Sequence, residues 1–258
     1  FVEEDCKSKI KKKSRVIYVE TPSNPLMKIT DLTMISRLAK DNGLISLIDN
    51  TFASPINQTP IDFGIDVVIH SATKYLGGHS DICAGAIASS QAHIDQIWNL
   101  AKNLGGSLSE YAVWLLERSM KTLALRVRAQ NNNAKIIAEW VTENPLVSQG
   151  FYPGLKSRPN HSIAKKQMNG YTGMLSFELE KSINGKTFLN SLQLIKPSMS
   201  LAGVESTILA PSKASHALLG EEERKKQGIS EGLLRLSVGI EDSDDLILDL
   251  KQAFTKSN

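Results

Sequence analysis

Residues 15–49 read RVIYVETPSNPLMKITDLTMISRLAKDNGLISLID, and this stretch decides the fold class. Arg15 to Thr21 is a β-branched and aromatic run closed by Pro22, the pattern of a buried strand. From Asp31 to Asn42 the apolar residues Leu32, Ile35, Leu38 and Ala39 recur at helical spacing, with Thr30 or Asp31 as N-cap and Gly43 as the stop. Leu44 to Asp49 is the next strand. Strand, helix, strand is a βαβ unit, and Asp66–Ser71 and Ala84–Ser89 add two further short apolar runs of the same kind. The opening part is therefore α/β.

Outward from there the rhythm changes. Gln91–Leu104 and the stretch Ser109–Asn144 read as helices, the second with a joint near Thr122. Past Pro145 come a strand-like VSQGFY, a Gly- and Pro-rich loop (PGLKSRPNH) and the alternating strand Gly173–Leu179. A helix around Ile183–Leu192, the strand Leu233–Val238 and an amphipathic helix from Asp242 follow. The expected division is an α/β part over residues 1–118, then a linking helix and a small α+β part over 119–258.

Composition excludes several classes. With 41% hydrophobic and 22% charged residues the 258-residue chain is neither collagenous nor disordered. Thirty Lys and Arg against 27 Asp and Glu leave a net +3, too small a surplus to call for nucleic acid. The basic run KSKIKKKSR has no interleaved aromatics before Tyr18 and reads as solvated surface. Cys6 and Cys83 are too isolated for a disulfide framework or a zinc site, so no metal and a reducing, cytoplasmic setting are expected. Charges break every apolar run before the roughly 18 residues of a membrane span, so no membrane partner is expected either. The start, FVEEDCKSK, lacks the apolar core of a signal peptide and reads as a cut end.

Three segments carry polar groups that packing leaves unexplained: PSNP, DNTF and SATKYLGGHSD, each after a strand's carboxyl end. In open α/β sheets such loops face one crevice. Neither GxxxxGK[ST] nor GxGxxG is present, so the nucleotide fingerprints fail. What remains is a carboxylate at Asp49, hydroxyls at Ser71 and Thr73 and an amine at Lys74, before Gly77-Gly78. A pyridoxal phosphate (PLP) site needs a lysine for the aldehyde and for proton transfer, and a carboxylate beside the pyridine nitrogen. Two hydroxyls two apart on one side of an extended segment can donate to one phosphate. On spacing alone the plainer reading prevails: Ser and Thr end a strand, Asp49 caps a turn and Lys74 is a solvated amine.

The strings VETPSNP, IDNTFASP, SATKYLGGHSD, RSMKTLALR and LLRLSVGIEDSDDLILDL, in this order, closely resemble the Cys/Met-metabolism family of PLP enzymes. That family includes cystathionine γ-synthase, cystathionine γ- and β-lyases and methionine γ-lyase. The resemblance runs almost end to end. It implies fold type I: an aspartate-aminotransferase-like large domain, here lacking its opening part, then a small C-terminal domain. It implies that Lys74 bonds the aldehyde of pyridoxal 5'-phosphate, Asp49 partners the pyridine nitrogen, Ser71 and Thr73 hold the phosphate and Asn24 touches the ring-hydroxyl side. Arg235, in LLRLSVG, and Ser200, in SMSLAGVES, would clamp the substrate carboxylate. Without the resemblance Arg235 reads as a structural charge beside an acid such as Glu241. Glu20 is expected to support the Asn24 loop, with Thr51 and Phe52 beside Asp49.

The implied function is a carbon–sulfur lyase acting on cystathionine or a related small sulfur amino acid. Met199, apolar where several γ-specific members carry an acid, leaves methionine or homocysteine elimination open. The alternatives are cystathionine γ-synthase, replacing an acylated homoserine hydroxyl, and a non-catalytic scaffold that kept the fold. The family is usually tetrameric, a dimer of dimers with shared sites, so the resemblance implies a homotetramer for the full-length protein. The chain reads as a carboxyl-terminal portion, without the family's phosphate-gripping turn and ring-stacking tyrosine, so weak PLP binding and little turnover are expected of it alone.

Overall fold

Helix α1 (Glu3–Lys9) leads into β1 (Val16–Glu20), α2 (Leu32–Asp41), β2 (Ile45–Asp49), the single turn α3 (Ser54–Asn57), β3 (Val67–Ser71) and β4 (Gly85–Ser89), in a computed structural model that describes residues 3–258. The strands form one sheet in the order β1-β2-β3-β4, parallel except that β4 runs antiparallel to β3. The βαβ unit lies where the apolar spacing puts it. Asp31 caps α2 by accepting from the Met34 N–H at 3.1 Å, and Gly43 closes the turn beyond it at φ +60°. Helix α2 buries Leu32 and Ile35 against Val19, Ile48 and Val68, one face of the sheet.

Residues of the opposite parity, among them Tyr18, Glu20, Asp49 and Ser71, point to the other face. Here β1 departs from the buried strand expected of it. Val16 is 45% and Tyr18 57% exposed, because β1 is an edge strand and only alternate residues meet α2.

Helices α4 (Gln91–Leu104), α5 (Glu110–Met120) and α6 (Leu123–Glu143) follow, with the joint at Lys121 and Thr122. Beyond them lie β5 (Val147–Phe151), α7 (His161–Gln167), β6 (Met174–Leu179), α8 (Gly185–Ser191), β7 (Lys196–Pro197), β8 (Thr207–Leu209), α9 (Glu221–Gln227), β9 (Leu233–Ser237) and α10 (Ser243–Ser257). The second sheet runs β5-β6-β9-β8-β7, antiparallel except for the β7–β8 pair. The largest core cluster joins Ile137 and Val141 of α6, Phe188 of α8 and Leu250 and Phe254 of α10 to Phe177, Leu234 and Leu236 of this sheet. Helix α9 (EEERKKQ) buries nothing and β7 has two residues, so neither leaves a periodic trace in the sequence.

The other face of the second sheet receives the loops of the first. Met174 packs with Met27, Phe52, Tyr75, Leu123 and Val127, and the Ser176 hydroxyl donates to the Pro25 carbonyl at 2.6 Å. The buried Tyr75 hydroxyl lies 3.1 Å from that of Thr172 and accepts from the Gly173 N–H at 3.0 Å. The loops after β1, β2 and β3 are thereby held against one surface.

Candidate active site

Strand register sets the first part of the site. Glu20 is paired with Asp49, and Asp49 with Ile69, so the two carboxyl groups stand side by side at the carboxyl ends of β1 and β2. Asp49 accepts from the Thr51 N–H at 2.9 Å, and the Thr51 hydroxyl accepts from the Ser71 N–H at 2.8 Å, which ties the ends of β2 and β3 together. Asp49 does cap its turn, as the plainer reading has it, and burial first, then the Asp49 charge, raise the Tyr18 phenol. Burial, then Asp49, pushes the Glu20 carboxyl up to about 7, although the Asn24 backbone N–H and Arg235 pull the other way.

The Lys74 turn is the second part. The Lys74 N–H returns to the Ser71 carbonyl at 3.0 Å and the Gly78 N–H to the Lys74 carbonyl at 2.7 Å, so the extended segment stops at Ser71. Thr73 therefore leaves the row expected of it. Its hydroxyl accepts from the Ala84 N–H at 2.9 Å and donates to the Ala84 carbonyl at 3.3 Å, whereas the Ser71 hydroxyl has no hydrogen-bond partner among the described residues. The two hydroxyls are not equivalent donors. The Lys74 amine is half-buried and likewise unbonded among the described residues. Burial first, then the Arg235 charge, lower its pKa against an opposing pull from Cys83.

Arg126, inside the motif RSMKTLALR but given no role by sequence reasoning, supports this turn. It donates to the carbonyls of Tyr75 (2.9 Å), Leu76 (3.3 Å) and Ser119 (2.9 Å). Gly78 leaves room for it: a Cβ there would lie 1.9 Å from Arg126 Nη1, and φ is +71°. A lone arginine between Leu123 and Val127 on a buried helix face was the signal available.

The third part comes from the second sheet. Arg235 is 3% exposed on β9, donating from Nη1 to Asn24 Oδ1 and from Nη2 to the Met199 carbonyl, both at 3.2 Å. Its Nε is buried without a partner. Burial lowers the guanidinium to about 10, with Glu20 opposing. Glu241 is not its partner: that carboxylate accepts from the Ser206 N–H at 2.5 Å and the Ser206 hydroxyl at 2.8 Å. Ser80 directs its proton to Glu205 at 2.8 Å, so across the 3.2 Å gap between Ser80 and Ser200 the Ser200 hydroxyl donates. Asn24 and Arg235 thus touch, Ser200 follows the carbonyl that Arg235 binds, and Lys74 lies within reach of the Arg235 charge.

The sequence model of the family described as "Cys/Met metabolism PLP-dependent enzyme" matches residues 2–255. The chain belongs to that family. Among its relatives in this family, cystathionine beta-lyase of Lactococcus lactis subsp. cremoris (strain MG1363) is 46% identical over 254 residues, 98% of this chain and 67% of that protein. Cystathionine gamma-lyase of Bacillus subtilis (strain 168) is 42% identical over 251 residues, 97% of this chain and 66% of that protein. The crystal structure of cystathionine gamma-lyase from Lactobacillus plantarum complexed with L-serine superposes with a TM-score of 0.96 at 44% identity, covering 98% of this chain and 66% of that one. The chain thus spans about two thirds of the length of the relatives it matches, and its fold is the type I fold of these PLP enzymes.

The residues present suit the cofactor this family uses. An amine whose protonation is weakened, a carboxylate at a strand end and an unengaged Ser71 hydroxyl are groups it needs, and the orphan Arg235 N–H is left for an anion other than the cofactor. Thr73 departs from that set, since Ala84 already occupies its hydroxyl. A hollow of about 520 Å³, lined by Lys181, Lys186, Lys213 and Glu231, holds none of these residues.

Proposed function

We propose that the protein is a PLP-dependent carbon–sulfur lyase of sulfur amino-acid metabolism, acting on cystathionine, methionine or homocysteine. The observation that carries this is convergence: Arg235 of the second sheet donates to Asn24, in the loop after β1, at 3.2 Å, and Tyr75, next to Lys74 in the turn after β3, accepts from the Gly173 N–H beside β6 at 3.0 Å, so the loops that carry Asn24 and Lys74 are both held against the second sheet. The names of the relatives, cystathionine beta-lyase, cystathionine gamma-lyase and L-methionine gamma-lyase, support the same class.

In this reading Lys74 would hold the cofactor aldehyde, Asp49 would partner the ring nitrogen, Ser71 would hold the phosphate with a lesser part for Thr73, and Asn24 would touch the ring-hydroxyl side. When bound, PLP supplies an aldehyde and a ring that accepts the electrons left at carbon. Arg235, with Ser200 beside it, takes the substrate carboxylate in a two-pronged grip. Freed when the substrate amine takes its place on the aldehyde, the Lys74 amine, whose protonated form burial disfavours, would take up the α-proton of the substrate. β-Elimination needs only that transfer, while γ-elimination needs Lys74 Nζ to carry a second proton from the β-carbon.

Residues 1–118 form the cofactor-binding part and residues 119–258 the linking helix and the substrate-clamping part. The setting is cytoplasmic and the partner a further copy of the chain. Exposed Trp98, Leu104, Tyr111 and Trp114 support the self-association, and Cys6 and Cys83, unpaired, support the compartment. Among the described residues no helix is long and apolar enough to cross a membrane.

The test is to incubate the chain with PLP, reduce with borohydride, digest, and locate the pyridoxyl group by mass spectrometry. Label concentrated on Lys74, and lost in Lys74→Ala, is the expected result; label scattered over surface lysines sends the same test to a longer chain that carries the family's opening part, and scattering there too sinks the reading. Release of ammonia and a 2-oxo acid from a single amino acid then marks a lyase, and consumption of cysteine without ammonia marks γ-replacement.

A further inference from the structure

The loop between β1 and α2, which carries Asn24, has a hollow of about 300 Å³ at its far end, and none of the proposed reaction-site residues lines it. Its walls are Met27 and Ile29 from that loop and Pro153 and Pro159 from the segment after β5, and its charges are Lys28 and Arg158, with no carboxyl group among the described residues that line it. Both sides are held in place. After β5, three successive turns close with the Leu155 N–H on the Tyr152 carbonyl at 3.1 Å, the Arg158 N–H on the Leu155 carbonyl at 3.0 Å and the His161 N–H on the Arg158 carbonyl at 3.1 Å. His161 Nδ1 donates to the Pro153 carbonyl at 3.0 Å, and Asn160 Nδ2 donates across to the Ile29 carbonyl at 2.7 Å. In the loop, the Thr30 N–H closes the neck on the Thr21 hydroxyl at 3.0 Å, and the Met27 N–H binds the Ser23 carbonyl at 2.8 Å. Arg158 is half-buried with its guanidinium 4.7 Å over the Phe151 ring. Where Arg126 and Arg235 spend their N–H groups on carbonyl oxygens, the Arg158 guanidinium and the Lys28 ammonium have no hydrogen-bond or carboxylate partner among the described residues.

We propose that this hollow is a binding site for a small aliphatic carboxylate, whose oxygens take the Arg158 fork and the Lys28 ammonium and whose hydrocarbon body rests on Met27, Ile29 and the two prolines. A preformed cleft with apolar walls and a few convergent polar groups is the general form of a small-molecule site. The charges select an oxyanion, since a stacked arginine keeps the N–H groups at its edge for a planar carboxylate. The walls select an organic one, because a bare inorganic anion leaves them wet. No bond is made or broken there, and the site stands whether or not Lys74 and Arg235 act as proposed above. A bound carboxylate bridges the segment after β5 to the loop, and Asn24 lies only four residues before Lys28, so occupancy stiffens the loop that reaches Arg235.

The probe is isovalerate, its binding followed by the broadening of its methyl resonances as the chain is added. The titration is run in the wild type and in Arg235→Lys, which removes the fork of the proposed substrate clamp. 3-Methylbutanol carries the same body without the charge, and inorganic phosphate the charge without the body. Isovalerate is expected to bind at least about fivefold more tightly than either, in both chains. Arg158→Met, which still covers Phe151, is expected to weaken it about tenfold and Lys28→Gln about threefold. Arg158→Lys, which keeps the charge and loses the fork, gives a second reading should the methionine variant not fold, and is expected to weaken binding about threefold. Hydrogen exchange read by mass spectrometry is expected to slow over residues 21–30 and 152–161 when isovalerate saturates. Binding that is lost in Arg235→Lys and untouched by the Arg158 variants belongs to the proposed reaction site and overturns the assignment. Absence of binding, or exchange unchanged over both stretches, overturns it as well. Equal binding of 3-methylbutanol or of inorganic phosphate overturns the carboxylate class.

Discussion

Ser71 and Thr73 are two residues apart and meet different fates. Thr73 both accepts from and donates to the backbone of Ala84, while Ser71 keeps its hydroxyl free among the described residues. Ser71→Ala is therefore expected to weaken PLP binding with little change in stability, and Thr73→Ala to cost about 1 kcal/mol of stability through the lost Ala84 contacts. Spectroscopic PLP titrations and urea melts of the two variants separate these outcomes. Glu20 gives a pH effect of definite sign. Its carboxyl is raised from 4.5 to about 7 in the folded chain, so the folded state holds the proton more tightly and its stability falls as pH rises between those values. Glu20→Gln is expected to be neutral near pH 4.5 and to stabilise by about 1–3 kcal/mol at pH 8. Thermal melts of both proteins across that range check it; a wild type that gains stability relative to the variant as pH rises would contradict it.

At the scale of elements, the turn between β3 and the Arg126 helix is the sensitive place. Gly78 sits at φ +71° with Arg126 Nη1 where a Cβ would go, and Arg126 is bonded to three backbone carbonyls. Gly78→Ala is expected to cost about 3 kcal/mol or more, because it adds left-handed strain and displaces a buried, hydrogen-bonded charge. Gly43, at φ +60° but with open space around it, isolates the strain alone, and Gly43→Ala is expected to cost about 1–2 kcal/mol. Denaturant midpoints of the pair measure the difference, and equal losses would show that Arg126 yields without cost. Periodicity predicted α2 and the β3 boundary within a residue and narrowed the N-cap to Thr30 or Asp31, of which the structure uses Asp31, since each depends on neighbours in sequence. It missed α7 and α9, which are short and mostly polar, and β7 and β8, two and three residues long, which form only because β9 lies beside β8.

For the whole molecule, the two sheets are one unit so far as Tyr75, Thr172 and Gly173 bind them. The Tyr75 hydroxyl is fully buried, and its burial pushes the phenol up to about 12, so it stays a neutral donor and acceptor throughout the useful pH range. Tyr75→Phe strands the Gly173 N–H and is expected to cost about 1–3 kcal/mol. It is also expected to loosen the sheets from each other, seen as a broadened or split calorimetric transition; a sharp transition at the original midpoint would refute the link. The α/β pattern was legible in the sequence, because a strand or helix declares itself through neighbours two to four positions away, whereas the proposed roles of Lys74, Asp49, Ser71, Asn24 and Arg235 came from the family resemblance, spacing alone favouring a plainer reading. The sequence could not say that Thr73 turns to Ala84, that one face of β1 is open, or that Arg235 meets Asn24, 211 residues distant, and not Glu241, six residues on. Those contacts depend on where two sheets stop and which loops their faces bring together. Periodicity carries no record of that, and only the packed chain decides it.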